Sequence, residues 1–113
     1  MTLASVPRFL AGAFLANAVP HGTAALRGRS FPSPFATRPG VGLSPPRVNA
    51  AWSGINLVAG TALLLATRRR TGSPLPTVLG AAVMGGFLAW YFEPDRRARR
   101  LAEAEAESEA STR

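Results

Sequence analysis

The residues with the most chemical potential in this chain are polar side chains set inside apolar runs. Asn17 and His21 lie four apart, with Pro20 beside the histidine, in a stretch from Phe9 to Leu26 that carries no formal charge. At that spacing both project from one side of a helix. Asn49, Ser53, Asn56 and Gly60 follow at spacings of four, three and four in a second uncharged stretch, Val48 to Thr67. They form a polar, small-residue stripe along a helix of their own. An asparagine in hydrocarbon needs a partner, and interhelical bonds of this kind contribute on the order of 1 kcal/mol. The two stripes therefore read as mates. Asn17 and His21 are expected to pack against Asn49, Ser53 and Asn56 as interhelical polar contacts.

Other chemistry is sparsely supplied. With one histidine and no cysteine, a metal site built from several good ligands within one chain is not expected. Haem needs only one or two histidines, but His21 beside Pro20 reads as a structural hydrogen-bonder. Every acidic residue lies from Glu93 onward, so the apolar runs hold no carboxylate for a proton relay. Neither a P-loop nor a nucleophile elbow is present, and Gly40-Val41-Gly42 is too short for a phosphate-binding glycine motif. The expectation is a protein that is not an enzyme, with no catalytic residues, no metal and no cofactor.

The elements that must position the polar residues follow from the apolar runs. A third uncharged run spans Thr71 to Phe92, and each run is near the roughly 20 residues that cross about 30 Å of hydrocarbon. The pattern predicts an all-α fold of three transmembrane helices, about 5–26, 48–67 and 75–92, with a proline-rich loop at 27–47. Residues 1–94 would be the membrane domain and 95–113 a charged, disordered tail. Pro20 lacks an N–H and crowds the preceding turn, so a kink near Ala16–Pro20 is expected. Arg8, the apolar run Phe9–Leu15 and Ala16-Asn17-Ala18 also mimic a signal peptide with its cleavage site. Apolar character running on to Leu26, with two further apolar spans behind it, favours an uncleaved helix.

In the third run Ala81, Gly85 and Ala89 recur every fourth residue, with Ala82 and Gly86 alongside. This spacing lets another helix approach closely, as an internal contact or a dimer face. Trp90, Tyr91 and Phe92 close the run like an interfacial aromatic belt. In the tail, Glu103/Glu107 and Glu105/Glu109 are like-charge pairs four apart that oppose helix. A short juxtamembrane helix passing into disorder is the expectation there.

The 13 basic residues are all arginine and face six acidic ones, for a formal net charge of +7. Such a balance suggests nucleic acid when the cations share one face of a soluble fold. Here they lie just outside the apolar runs, where membrane proteins place positive charge, so no nucleic-acid partner is expected. Arg8 and Arg68–Arg70 flank one side of the spans. Arg27, Arg29, Arg38, Arg47, Arg96, Arg97, Arg99 and Arg100 flank the other. That excess predicts a multi-pass inner (plasma) membrane protein, N-terminus outside, loop and C-terminus cytoplasmic. Its partners would be the lipid bilayer and either a second copy or another membrane protein.

The loop holds Pro32, Pro34, Pro39, Pro45 and Pro46 but no P-x-x-P spacing, so it does not read as an SH3-type ligand. Phe31 and Phe35, flanking Pro-Ser-Pro, fit better against the membrane interface or the helix ends. With Trp52 they are candidate loop anchors. About 20 residues is long for a connection in a small domain and points to function or specific packing.

These motifs come in a recognisable order: Asn17-x-x-Pro20-His21, Gly28-x-x-Phe31-Pro32-Ser33-Pro34-Phe35-Ala36, Gly40-x-Gly42-x-Ser44-Pro45, then Val48-Asn49-x-x-Trp52 and Asn56. In this order they resemble an uncharacterised family of small bacterial integral membrane proteins. The similarity runs from Asn17 to Gly60 and leaves the third span and the tail uncovered. It implies an integral membrane protein and supplies no activity. The leading expectation is a structural or accessory membrane protein acting through helix–helix contacts. The alternative is a small oligomeric transporter or channel, with Asn17, His21, Asn49 and Asn56 lining a polar path.

Overall fold

A computed structural model describes residues 3–113; the expected membrane domain thus begins with two positions, 1 and 2, outside the described residues. Four helices account for most of the chain: α1 (Ser5–Leu26), α2 (Pro46–Thr67), α3 (Leu75–Tyr91) and α4 (Pro94–Ser111). Two short strands, β1 (Phe31–Pro32) and β2 (Leu43–Ser44), lie between α1 and α2. The molecule extends 58 × 27 × 22 Å. α1 and α2 are each long and apolar enough to cross a membrane, and α3 with α4 makes a third candidate if that pair, bent by 61°, is one span.

Local chemistry sets the helix ends. α1 runs through Pro20 without interruption and stops at Gly28, whose φ of 64° is costly for any residue with a Cβ. The Gly28 N–H bonds the Ala25 carbonyl and the Arg29 N–H bonds the Ala24 carbonyl, at 3.0 and 2.9 Å. This double return is a Schellman motif, which satisfies carbonyls the helix leaves open. α2 begins at Pro46, two residues earlier than expected, because a proline at the first helical position loses no intrahelical bond. α3 ends before Pro94, whose ring pushes Glu93 into an extended conformation (ψ 132°).

α1 is the central helix, packed on one side by α2 and on another by α3. The Arg8 side chain reaches the end of α2, so those two helices are antiparallel. α3 starts beside the start of α1, where a Cβ on Gly12 would collide with the Thr77 carbonyl oxygen and one on Gly80 with that of Phe9. The backbones of α1 and α3 therefore touch at these glycines. The expected small-residue face at Ala81, Gly85 and Ala89 is only partly used. A Cβ at Gly85 or Gly86 would meet nothing within 4 Å.

The core is inverted relative to a water-soluble bundle. Among the described residues its buried apolar side chains are Ala4, Ala11, Ala18 and Ala24 with Pro32 of the connection, whereas Asn49, Asn56, Ser53 and His21 are buried too. Large apolar side chains such as Val19, Ile55, Val58, Val83 and Phe87 face outward. Leu57 and Leu65 are about half exposed, at 49% and 55%, and Leu63 and Leu64 are intermediate.

The tail corrects an expectation. Residues 95–111 are not disordered but belong to the continuous helix α4. Its N-terminus is well supplied: Pro94 opens the helix, and the Glu93 carboxylate accepts from the N–H groups of Asp95 and Arg96 at 3.2 and 3.1 Å. Alanines at every second position from 102 to 106 have the highest helix propensity, which outweighs repulsion between glutamates worth a few tenths of a kcal/mol per pair. The Arg100 guanidinium stacks on Tyr91 at 3.8 Å and that of Arg96 on Trp90 at 5.1 Å, tying α4 back to α3.

The cap makes α4 pH-dependent. The Arg96 and Asp95 N–H groups, with the arginines nearby, hold the Glu93 carboxyl below its ordinary value of 4.5. A depressed carboxyl contributes stability that is full above its unfolded value and lost as pH falls through the folded one. Acidification through that range is expected to lower the exchange protection factors of the Asp95 and Arg96 amides, read by NMR in detergent and referenced to the intrinsic rate at each pH. Glu93→Ala should leave both amides poorly protected at every pH.

Candidate functional site

Asn49 is the hub of the polar interior. It sits in the first turn of α2, fully buried, and faces two elements at once. Its Nδ2 donates to the Phe31 and Ser44 carbonyls at 2.9 and 3.1 Å. Both are carbonyls of the paired strands, in which Phe31 stands opposite Ser44. Those contacts orient the amide, so Oδ1 points to His21 on α1 and accepts from Nδ1 at 2.7 Å. An acceptor on that side requires the proton on Nδ1. One side chain thus joins α1, the strand pair and α2.

One and two turns further along α2 the stripe continues. The Ser53 hydroxyl donates to the Ala18 carbonyl at 2.8 Å. Asn17 Nδ2 donates to Asn56 Oδ1 at 3.1 Å, while Asn56 Nδ2 returns to the Trp52 carbonyl at 2.8 Å. Gly60 ends this stretch, and a Cβ there would meet Leu15 and the Ala11 carbonyl oxygen. All five residues singled out as polar contacts, Asn17, His21, Asn49, Ser53 and Asn56, lie in the α1–α2 seam.

The candidate anchors pack as an aromatic lid over this seam. His21 meets Phe31 edge-on at 5.3 Å and Trp52 at 6.3 Å, while Phe35 packs edge-on against Trp52 at 5.3 Å. Phe31 also lies 4.8 Å from Phe92 at the end of α3. Phe35 remains 60% exposed, so it covers Trp52 while facing outward. The connection itself is ordered: the Ser33 and Ser44 hydroxyls bond at 2.6 Å, the Gly40 N–H closes a turn onto the Ser33 carbonyl at 3.0 Å, and the Tyr91 hydroxyl holds the Gly40 carbonyl at 2.9 Å.

Arg8 was legible only as a flanking charge, but it lies within α1 and is buried. Its guanidinium donates to the carbonyls of Thr67, Arg70 and Thr71 at 3.0, 2.7 and 3.4 Å. The C-terminus of a helix leaves carbonyls open and carries a partial negative charge, so a cation from the neighbouring helix caps α2 there. Hydrogen bonds to a charged group contribute about 1.5–3 kcal/mol. Arg8→Met is expected to lower unfolding stability in detergent by about 2 kcal/mol, with Arg8→Lys restoring only part of it, measured by denaturant titration. Ser33, Ser44, Thr67 and Tyr91 also escape a reading by spacing. Only the isolated serines beside prolines and the tyrosine ending α3 hinted at them.

Among the described residues, no group of three or more His, Asp and Glu side chains is placed to hold a metal ion. No protein-family model, curated protein or solved structure matches this chain.

Proposed function

We propose that this chain is a three-span integral protein of the bacterial inner (plasma) membrane, structural or accessory in role, acting through helix–helix contacts rather than catalysis. The inverted core carries this reading. Asn49 and Asn56 are 0% and 1% exposed while Val58, Val83 and Phe87 are at least half exposed. Water would penalise that distribution, whereas hydrocarbon favours apolar surface outside and satisfied polar groups within. α3, with 17 residues, would extend about 25 Å at 1.5 Å per residue, close to the thickness it must cross.

The polar side chains favour a structural role over transport, because Asn17, His21, Asn49, Ser53 and Asn56 already satisfy one another or the backbone. The residues carrying the resemblance to the bacterial membrane family are largely those that join α1, the strand pair and α2. The arginine distribution supports a cytoplasmic connection and α4. Membrane fractionation with alkaline carbonate, combined with C-terminal GFP and phosphatase fusions, tests the proposal. A pelleted protein with a bright GFP fusion is the expected result. Release into the supernatant would sink the membrane reading, and an active phosphatase fusion would reverse the orientation. Flux through liposomes that Asn56→Leu abolishes would replace the structural role with transport.

A further inference from the structure

From their contact at Gly12 and Gly80, α1 and α3 run on toward the end that carries the strand pair, and a groove of about 700 Å3 opens between them. Its walls are largely apolar, lined by Val19 from α1, Leu88 and Ala89 from α3, and Phe31 of β1. Gly85 keeps it wide, since a side chain there would extend into open space. Arg27, Arg29 and Arg97 line the same groove, which no acidic side chain enters. Among the described residues none of these three guanidinium groups has an ion-pair partner.

We propose that this groove binds one anionic glycerophospholipid, its acyl chains along the α1–α3 walls and its phosphate against Arg27, Arg29 and Arg97. Guanidinium groups match phosphate oxygens in paired, charge-assisted hydrogen bonds, and basic pockets between membrane helices select anionic headgroups. The two halves of the site together specify the occupant. An apolar helix from a second copy would fill the walls but leave three arginines unpaired. The glutamates of another copy's α4 would meet the arginines, but that helix offers little beyond alanine to fill the walls. An amphiphile with an anionic head satisfies both.

The inference rests on the membrane reading. Carbonate release would sink both, whereas a membrane-extracted chain without lipid preference would sink this one alone. The test is native mass spectrometry of the full chain in detergent, titrated with dioleoyl phosphatidylglycerol or dioleoyl phosphatidylcholine. Phosphatidylglycerol is expected to bind roughly tenfold more tightly. That preference should vanish in R27Q/R29Q/R97Q and survive in R68Q/R69Q/R70Q, which removes as much charge from the opposite end. Gly85→Leu, with all arginines intact, should weaken binding of both lipids. If the first triple variant loses helicity by circular dichroism, Gly85→Leu decides alone, and unchanged lipid binding overturns the site. Equal affinity for the two lipids, equal loss in both triple variants, or displacement by millimolar inorganic phosphate would overturn it as well. So would a lipid-free dimer that Gly85→Leu splits.

Discussion

Asn49→Leu is expected to produce the largest polar defect available in this chain. It removes the acceptor from the buried His21 Nδ1–H and the donor from the Phe31 and Ser44 carbonyls. A buried polar group left unsatisfied costs about 1–3 kcal/mol. Three such groups cannot all recover partners, because the strand pair that offers two of them is positioned by Asn49 itself. We expect a loss of about 3 kcal/mol, together with faster proteolysis of the connection between Gly28 and Pro45. Thermal unfolding in detergent and limited proteolysis read the two effects. Asn49→Asp separates hydrogen bonding from shape. It keeps an acceptor for His21 but turns a carboxylate oxygen toward two carbonyls, so it should fare no better than leucine. Wild-type stability in either variant would show that the hub does not hold the connection.

Gly12→Val is expected to be at least as damaging, through packing. A Cβ on Gly12 would overlap the Thr77 carbonyl oxygen and lie 2.8 Å from the Ala81 nitrogen. Both obstacles are helix backbone, which cannot rotate away as a side chain could. The helices must separate, and the Gly80–Phe9 contact beside it would open as well. Overpacking a core costs typically 1–3 kcal/mol. Parting two backbones along a shared crossing belongs at the upper end, about 3 kcal/mol. Gly80→Val should behave alike, because it meets the same crossing from the other side. Gly85→Ala is the control. It adds a methyl where nothing lies within 4 Å and gains helix propensity, so its unfolding midpoint should hold or rise. If Gly12→Val and Gly85→Ala unfold alike, the close crossing is not what docks α3.

Much of this is legible in the sequence. Apolar run length puts α1, α2 and α3 within about two residues of their observed ends, because run length and proline position are local properties. The spacing of Asn49, Ser53, Asn56 and Gly60 marked one face of α2 for the same reason: helical periodicity is a property of the segment alone. The like-charged glutamates of α4 argue against a helix, but the cap at Glu93-Pro94-Asp95 and the alanines outweigh them. In the sequence Arg8 reads as a charge flanking an apolar run. A flanking arginine and a capping arginine have the same local sequence, and only a carbonyl from a distant helix distinguishes them.

Helix positions, the polar stripe and the charged flanks were thus determined by the sequence itself, through interactions spanning a turn or two. The tertiary structure alone decided that Asn17 pairs with Asn56, that Asn49 turns toward the strand pair, and that Gly12 and Gly80, rather than the Ala81-Gly85-Ala89 row, carry the closest approach. Those choices depend on the relative rotation and height of helices far apart in the chain. Backbone contact at the glycines and hydrogen bonding at Asn49 set them jointly, and no single segment encodes that agreement.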